Sequence, residues 1–371
     1  MWLFVDLANA FGGHEVMLLR WMAVLRAQAD VEPVLVCAAG SRLAEQAAPQ
    51  VRTVEVPLAD HSRLARIGGF LQLMRCLWQL KRRLRPGLVV VAEGCLLAQR
   101  HGLYAARALR LPTLLYVPLV SSFTEMGVAD ADRLDRIVRD RYRKLPTAWL
   151  TITPAQADEL RAWTGISQPV FCLPNTVAVP ELPPAPPRQG PARVLVLGRL
   201  DAHQKGLDVL LEHLRAHPEL GAQVRVSVVG EGPYGATLTA ALDETPHLAD
   251  RLALEDWQDP GAALARHDVL LLASRFEGVP LVMPEAMAAG VPVVSTDLPG
   301  TRPYLPDTCL FPFGRLDAAF DIVRSLHTDA RHRADVVAHN RRAFDTLASA
   351  PAFEAGVQRL TRELHALGAR A

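Results

Sequence analysis

The densest chemistry in this chain of 371 residues lies in the stretch DVLLLASRFEGVPLVMPEAMAAGVPVVSTDLPG, from Asp268 to Gly300. Two acids, Glu277 and Glu285, stand there with seven residues between them, and Gly278, Val279, Pro280, Leu281 and Val282 fill most of the gap. The apolar run Val269–Ala273 reads as a buried strand. A helix is predicted from near Leu281, with Pro284 tolerated in its first turn and Gly290 as its stop. Pro292–Thr296 then returns as a strand. Amide groups at the start of such a helix, over 279–282, can cradle a diphosphate. Glu285, one turn inside, can accept two hydrogen bonds from a ribose diol, and Glu277 on the loop can accept from sugar hydroxyls. Both acids could also do no more than favour the positive end of a helix dipole.

Three further loops follow predicted strands. Gly198-Arg199-Leu200 closes the strand Arg193–Leu197, and Lys205-Gly206 comes shortly after it. Gly230-Glu231-Gly232-Pro233 follows the strand Gln223–Val229. Phe11-Gly12-Gly13-His14-Glu15 joins the first strand, Trp2–Asp6, to a helix, and Gly12 and Gly13 let backbone come close to whatever sits there. His14 reads as an exposed first-turn residue rather than a base.

These loops need a scaffold of strands alternating with amphipathic helices, and the chain supplies one. In the N-terminal half the apolar runs Val34–Cys37, Thr53–Val56, Leu88–Ala92, Thr113–Val117 and Ala148–Thr151 continue the strand series. Helical spacing covers His14–Ala27 and Arg63–Leu84, the latter with Leu64, Ile67, Leu71, Met74 and Leu77 on one stripe. Helices are also predicted over Leu207–Ala216, Tyr234–Leu242 and Ala352–Leu367. Seven prolines between Pro174 and Pro191 mark a semi-rigid connector. The expected division is a domain over 1–175, a linker over 176–191, a second domain over 192–345 and a terminal helix over 346–371 that packs back on the first domain. Alternation of this kind gives an α/β fold with parallel sheets.

Net charge is +1, which gives no general signal for nucleic acid. Residues 1–170 hold 21 Lys and Arg against 15 Asp and Glu, leaving 19 against 24 beyond them. A basic first half suits an anionic partner such as a membrane surface. Lys81, Arg82, Arg83 and Arg85 crowd one helix end, where they either face anionic lipid or complement the helix dipole. The five cysteines, Cys37, Cys76, Cys95, Cys172 and Cys309, are scattered and odd in number, so neither a disulfide framework nor a zinc site is expected from them. The expectation is a cytoplasmic protein without leader or spanning segment, at most attached to the cytoplasmic face of an inner membrane.

The motif Glu277-x7-Glu285, followed by Ala286-Met287-Ala288, Gly290 and Pro292-Val293-Val294, resembles that of the retaining GT-B glycosyltransferases. These form a large family that includes bacterial mannosyltransferases and sucrose synthases. The resemblance is strong over 193–301 and weaker over 1–170. It implies two Rossmann-like domains facing each other across a cleft, with a nucleotide-sugar donor, UDP- or GDP-linked, on the C-terminal one. It also implies transfer to a glycan or lipid-linked acceptor with the anomeric configuration retained. In that family the equivalents of Arg199 and Lys205 contact the donor diphosphate. Gly230 and Gly232 lie near the nucleoside, the backbone over Leu252–Trp257, Leu254 included, reads the base, and Gly12 and Gly13 approach the phosphate. No cofactor and no metal is implied, because two cations and a helix start stabilise the leaving group. The chain departs from the pattern at Tyr116-Val117-Pro118, where many relatives carry a histidine; Ser121, Ser122 or Glu125 would then position the sugar. Two other readings stay open: a nucleotide-sugar epimerase on the same fold, and a binding or scaffold protein that has lost its activity.

Overall fold

The computed structural model describes residues 1–8, 11–28, 31–57, 63–179 and 189–368. Residues 180–188 of the predicted connector, Asn9 and Ala10 of the first loop and the Leu64 side chain lie outside the described residues. The chain divides into two compact units. Unit 1 comprises Met1–Thr124, Val128–Asn175 and Phe353–Ala371; unit 2 comprises Glu125–Gly127 and Thr176–Ala352.

Unit 1 alternates strand and helix: β1 (Trp2–Asp6), α1 (Gly13–Ala27), β2 (Pro33–Ala38), α2 (Arg42–Ala47), β3 (Arg52–Val56), α3 (Arg63–Leu84), β4 (Leu88–Ala92), α4 (Arg100–Ala108), β5 (Thr113–Tyr116), α5 (Ala131–Asp140), β6 (Ala148–Thr151), α6 (Pro154–Thr164) and β7 (Val170–Cys172). Among the described residues its sheet is seven-stranded and parallel, in the order β3-β2-β1-β4-β5-β6-β7. β1, β2 and β4 are buried along their whole length, as apolar strands covered on both faces must be. Local chemistry sets the helix ends. In α6, Thr153 accepts from the Gln156 amide, Pro154 opens the first turn and Gly165 closes the helix in the left-handed region. Trp21 on α1 anchors the core edge-on against Trp2, Phe4 and Tyr116.

Unit 2 repeats the scheme: β8 (Ala192–Leu197), α7 (Ala202–Lys205), α8 (Leu207–Ala216), β9 (Val224–Val229), α9 (Gly235–Glu244), β10 (Leu252–Glu255), α10 (Pro260–Leu264), β11 (Val269–Leu272), α11 (Val282–Ala288), β12 (Val293–Thr296), β13 (Leu310–Phe311), α12 (Leu316–Thr328) and α13 (Ala330–Leu347). Its parallel sheet has the order β10-β9-β8-β11-β12-β13. Leu207, Leu210, Leu211 and Leu214 form the buried stripe that seats α8 on the sheet. The helix α13 has no counterpart in the sequence reading. Its buried positions are Val336, Asn340 and Phe344, a thin stripe with an amide at its centre, so hydrophobic periodicity is weak there.

The last helix, α14 (Ala350–Gly368), buries Phe353, Val357, Leu360 and Leu364, and from Phe353 onward it belongs to unit 1. His365 meets the Trp2 ring edge-on at 5.8 Å. The fold is α/β and of GT-B type, each unit a doubly wound Rossmann-like sheet. Each strand order reverses direction once, between β1 and β4 in unit 1 and between β8 and β11 in unit 2. In open parallel sheets such reversals leave a crevice beyond the carboxyl ends of the strands, where ligands bind.

Candidate active site

In unit 2 the crevice at the reversal is lined by Gly198, Arg199, Leu200, Lys205, Ala273 and Ser274. β8 delivers Gly198 and Arg199 to its mouth. Asp201 then caps the short helix α7 by accepting from the Gln204 amide, and α7 ends at Lys205. Gly206 turns the chain in the left-handed region, φ 65°, into α8. A Cβ at 206 would lie 2.1 Å from the Ala273 carbonyl oxygen, so a glycine there is what lets α7 sit against the end of β11.

The Lys205 ammonium meets Glu277 Oε1 at 2.5 Å, and Ser274 Oγ donates to the same oxygen at 2.9 Å. Their side chains are only 19% and 8% exposed. A pair so far out of water is strong while intact and costly when one partner is removed. Arg199 is exposed and donates to Gln204 Oε1 at 2.6 Å, so its guanidinium lies along α7 rather than on Glu277.

Arg275 is a second clamp on this corner. It donates to both carboxylate oxygens of Asp208, at 3.0 and 2.7 Å, and to the His203 carbonyl at 2.6 Å, while its face covers Phe313. Burial raises the Asp208 pKa, but the Arg275 hydrogen bonds and charge, together with the Val209 and Asp208 backbone amides, outweigh it and hold the acid below the usual carboxylate range. Ser274, Gln204, Arg275 and Asp208 were not singled out from sequence. The signal was present in Ser274-Arg275-Phe276-Glu277, where polar side chains follow a buried strand directly.

α11 begins at Val282 with Leu281 as its cap, and it ends before Gly290, whose φ is 73°. Its first-turn amides have no partner inside the helix, although the Met283 amide donates to the Pro280 carbonyl. Val279 is buried, whereas Gly278, Pro280, Leu281, Val282 and Glu285 are half-buried. Gly278 is backed by Gly300, where a Cβ would fall 1.6 Å from the Gly278 carbonyl oxygen. The turn of Gly230 and Gly232 lies against the Arg199 loop, with the Leu200 amide donating to Glu231 and the Tyr234 amide to Leu200. The Leu254 side chain packs on the core, and at the end of β10 the Glu255 carbonyl accepts from Gly230.

Gly12 and Gly13 belong to unit 1, at the start of α1. His14, expected as an exposed first-turn residue, is instead largely buried. Its side chain is 16% exposed and held between Asp6, 3.2 Å from Nε2, and Glu15, 3.0 Å from Nδ1. Burial lowers its pKa, but the two carboxylates reverse that and raise it above the usual histidine value. Asp6 arrives from β1, a contact that sequence spacing does not show. Tyr116, at the departure from the expected pattern, is buried against Trp21. Lys81 donates to the Leu109 carbonyl at 2.7 Å, so this member of the basic cluster satisfies a helix-end carbonyl.

The fold is the one shared by solved structures of GT-B type. Residues 191–329 match the family model described as Glycosyl transferases group 1. A phosphatidyl-myo-inositol mannosyltransferase of Mycobacterium leprae is 33% identical over 160 residues, 41% of this chain and 42% of that protein. The matched segment thus spans about two fifths of that relative. A 2-deoxystreptamine glucosyltransferase of Streptomyces kanamyceticus is 27% identical over 278 residues, 67% of this chain and 71% of that one. Among solved structures, HepE of Anabaena in complex with UDP-glucose superposes with a TM-score of 0.78 at 15% identity, covering 98% of this chain and 99% of that one. The sucrose-phosphate synthase of Thermosynechococcus elongatus gives a TM-score of 0.76 at 17% identity with the same coverage.

Proposed function

We propose that the protein is a retaining glycosyltransferase that moves a sugar from a nucleoside diphosphate, UDP or GDP, to an acceptor hydroxyl in glycan or glycolipid assembly. The observation that carries this reading is the Lys205–Glu277 pair at the strand reversal of unit 2, beside the start of α11. When a donor enters, its diphosphate competes for the Lys205 ammonium. Glu277 is then released to accept from the sugar hydroxyls, with Ser274 still donating to it. Arg199 swings from Gln204 toward the phosphates, the α11 amides take the remaining oxygens, and Glu285 holds the ribose diol. With this many fixed donors the departing diphosphate needs no metal.

No side chain in this cluster is placed as a covalent nucleophile, which suits attack from the face the diphosphate leaves, with a phosphate oxygen taking the acceptor's proton. Two of the relatives described above are named for acceptors, phosphatidyl-myo-inositol and 2-deoxystreptamine, so a polyol hydroxyl on a lipid or a small molecule is the acceptor class to screen first. The deciding experiment is a donor panel read by thermal shift and by nucleoside diphosphate release, with the product's anomeric configuration read by NMR. Release with one base and retention support the proposal. Binding without release for every donor and acceptor overturns it in favour of a binding protein, and an inverted product overturns the retaining assignment.

A further inference from the structure

At the strand reversal of unit 1, β1 ends on Asp6 and α1 starts at Gly13. Asp6 is fully buried, Glu15 is 1% exposed, and the His14 ring lies between them. Asp6 is satisfied on one side only. Its Oδ1 accepts from the Ala8 amide at 3.0 Å and from Gln99 Nε2 at 2.8 Å, while its Oδ2 has no hydrogen-bond partner. His14 Nε2 has none either: the two atoms stand 3.2 Å apart as an ion pair that makes no hydrogen bond. Buried polar atoms without a partner cost about 1–3 kcal/mol each, and such a group in a folded protein often marks an ion or water site.

The separation has a chemical meaning. Two ligands held about 2.0–2.1 Å from one tetrahedral cation lie roughly 3.3 Å from each other. The other side of the ring completes the arrangement. Glu15 Oε2 is 3.0 Å from His14 Nδ1 and is itself fixed by the Gly12 amide at 2.8 Å. A carboxylate on Nδ1–H selects the tautomer that leaves the Nε2 lone pair free for a metal. One ligand atom from each of Asp6, His14 and Glu15 falls within 4.8 Å of the others. Gly94 packs at the ring edge, where a Cβ would come within 3.2 Å of it, so the ring has little room to turn away.

We propose that Asp6 and His14 form a binding site for a borderline divalent cation such as zinc, with Glu15 orienting the histidine. Asp6 Oδ2 and His14 Nε2 bind the ion, which takes the place a proton would otherwise occupy between them. Water, or hydroxyls of a bound polyol, fill the positions left open. The ion ties the end of β1 to the start of α1.

The test is zinc titration of the full chain by calorimetry and thermal shift, with no donor or acceptor present, so that its result does not depend on the glycosyltransferase reading. One equivalent is expected to bind and raise the melting midpoint. His14→Gln and Asp6→Asn should each abolish that equivalent, and Glu15→Gln should weaken it about 10- to 100-fold. The five cysteines are common to all four proteins and cancel in the comparison. Should either ligand variant fail to fold, the His14 ring protons of the unaltered protein, followed by NMR, report instead. Zinc binding that survives His14→Gln, no stoichiometric binding at all, or ring signals unmoved by zinc would each overturn the site in favour of an imidazolium held between two carboxylates.

Discussion

The crevices at the two strand reversals differ in one respect that decides what each can bind. In unit 2 a cation and an acid neutralise each other, Lys205 against Glu277, with Arg199 exposed at the rim. In unit 1 the acids dominate. Asp6 and Glu93 are fully buried and Glu15 nearly so, with one histidine among them and the Tyr142 hydroxyl donating to Glu93 at 2.5 Å. A preformed ion pair can open toward an anionic ligand because the ammonium can exchange its carboxylate for it. Buried acids cannot accept an anion and instead hold protons or cations. The same topology therefore gives a mouth suited to anions in one unit and one suited to protons or cations in the other.

The largest effect is expected from Lys205→Ala. It removes the cation on which the proposed anion binding of unit 2 rests and should lower turnover by about 10²–10³-fold, the scale for deleting one preorganised charge donor. It also strands Glu277, which costs stability, with Ser274 still donating to it. Nucleoside diphosphate release, set beside the thermal midpoint, separates the two effects. Near-normal turnover in a folded variant would erase the contrast between the mouths.

Gly300→Ala probes the same mouth by geometry alone. The added methyl would sit on the Gly278 carbonyl oxygen, so the loop carrying Glu277 must shift. A destabilisation of about 3 kcal/mol is expected, at the upper end for overpacking, together with weaker nucleotide protection in thermal shift. An unchanged midpoint would mean that the two segments are less tightly apposed than described.

Glu93→Gln tests the acidic character of unit 1. Burial pushes the Glu93 carboxyl up to about 7, against the Tyr142 hydrogen bond that favours the charged form. The folded value thus lies above the unfolded one, 4.5. Stability from the protonated acid is fully present below pH 4.5 and is lost as pH rises through 7. Glutamine stays neutral throughout, so the variant should gain on the unaltered protein by about 3 kcal/mol between pH 4.5 and pH 8. Urea unfolding at both pH values measures it. An equal difference at the two would show that Glu93 is already ionised in the folded state.

Legibility in the sequence followed the range of the interactions. The strands β1, β4 and β11 and the helix α8 are strong local patterns, and the sequence reading places them to within a residue. The Glu277–Glu285 stretch was readable because one strand, one loop and one helix hold it in a single run. Asp6 on His14, Lys205 on Glu277 and Arg275 on Asp208 join separate elements, so no spacing rule reports them. The helix α13 was missed for the opposite reason: its one buried stripe is interrupted by Asn340.

The smallest effect on the folded molecule concerns the outside of unit 1, which contrasts with its acidic mouth. α3 and the turn after it carry Arg63, Arg66, Arg75, Lys81, Arg82, Arg83 and Arg85, with no acid between 63 and 85. Ile67, Leu71 and Trp78 are 50%, 61% and 46% exposed on this helix, and Arg82 lies over the Trp78 ring. Spacings of four and seven put the three apolar side chains and Arg75 on one face. Apolar side chains amid arginines on one helix face suit the surface of an anionic bilayer, the contact proposed for a lipid-linked acceptor. Trp78→Ala should leave stability within about 0.5 kcal/mol, as for most surface changes. It should weaken sedimentation with phosphatidylglycerol vesicles about tenfold, given roughly 1.5 kcal/mol for the lost apolar burial. Vesicles of phosphatidylcholine alone should not bind either protein. Equal binding of the two proteins to anionic vesicles would leave α3 an ordinary solvated helix, and the basic face of unit 1 would then need no lipid to explain it.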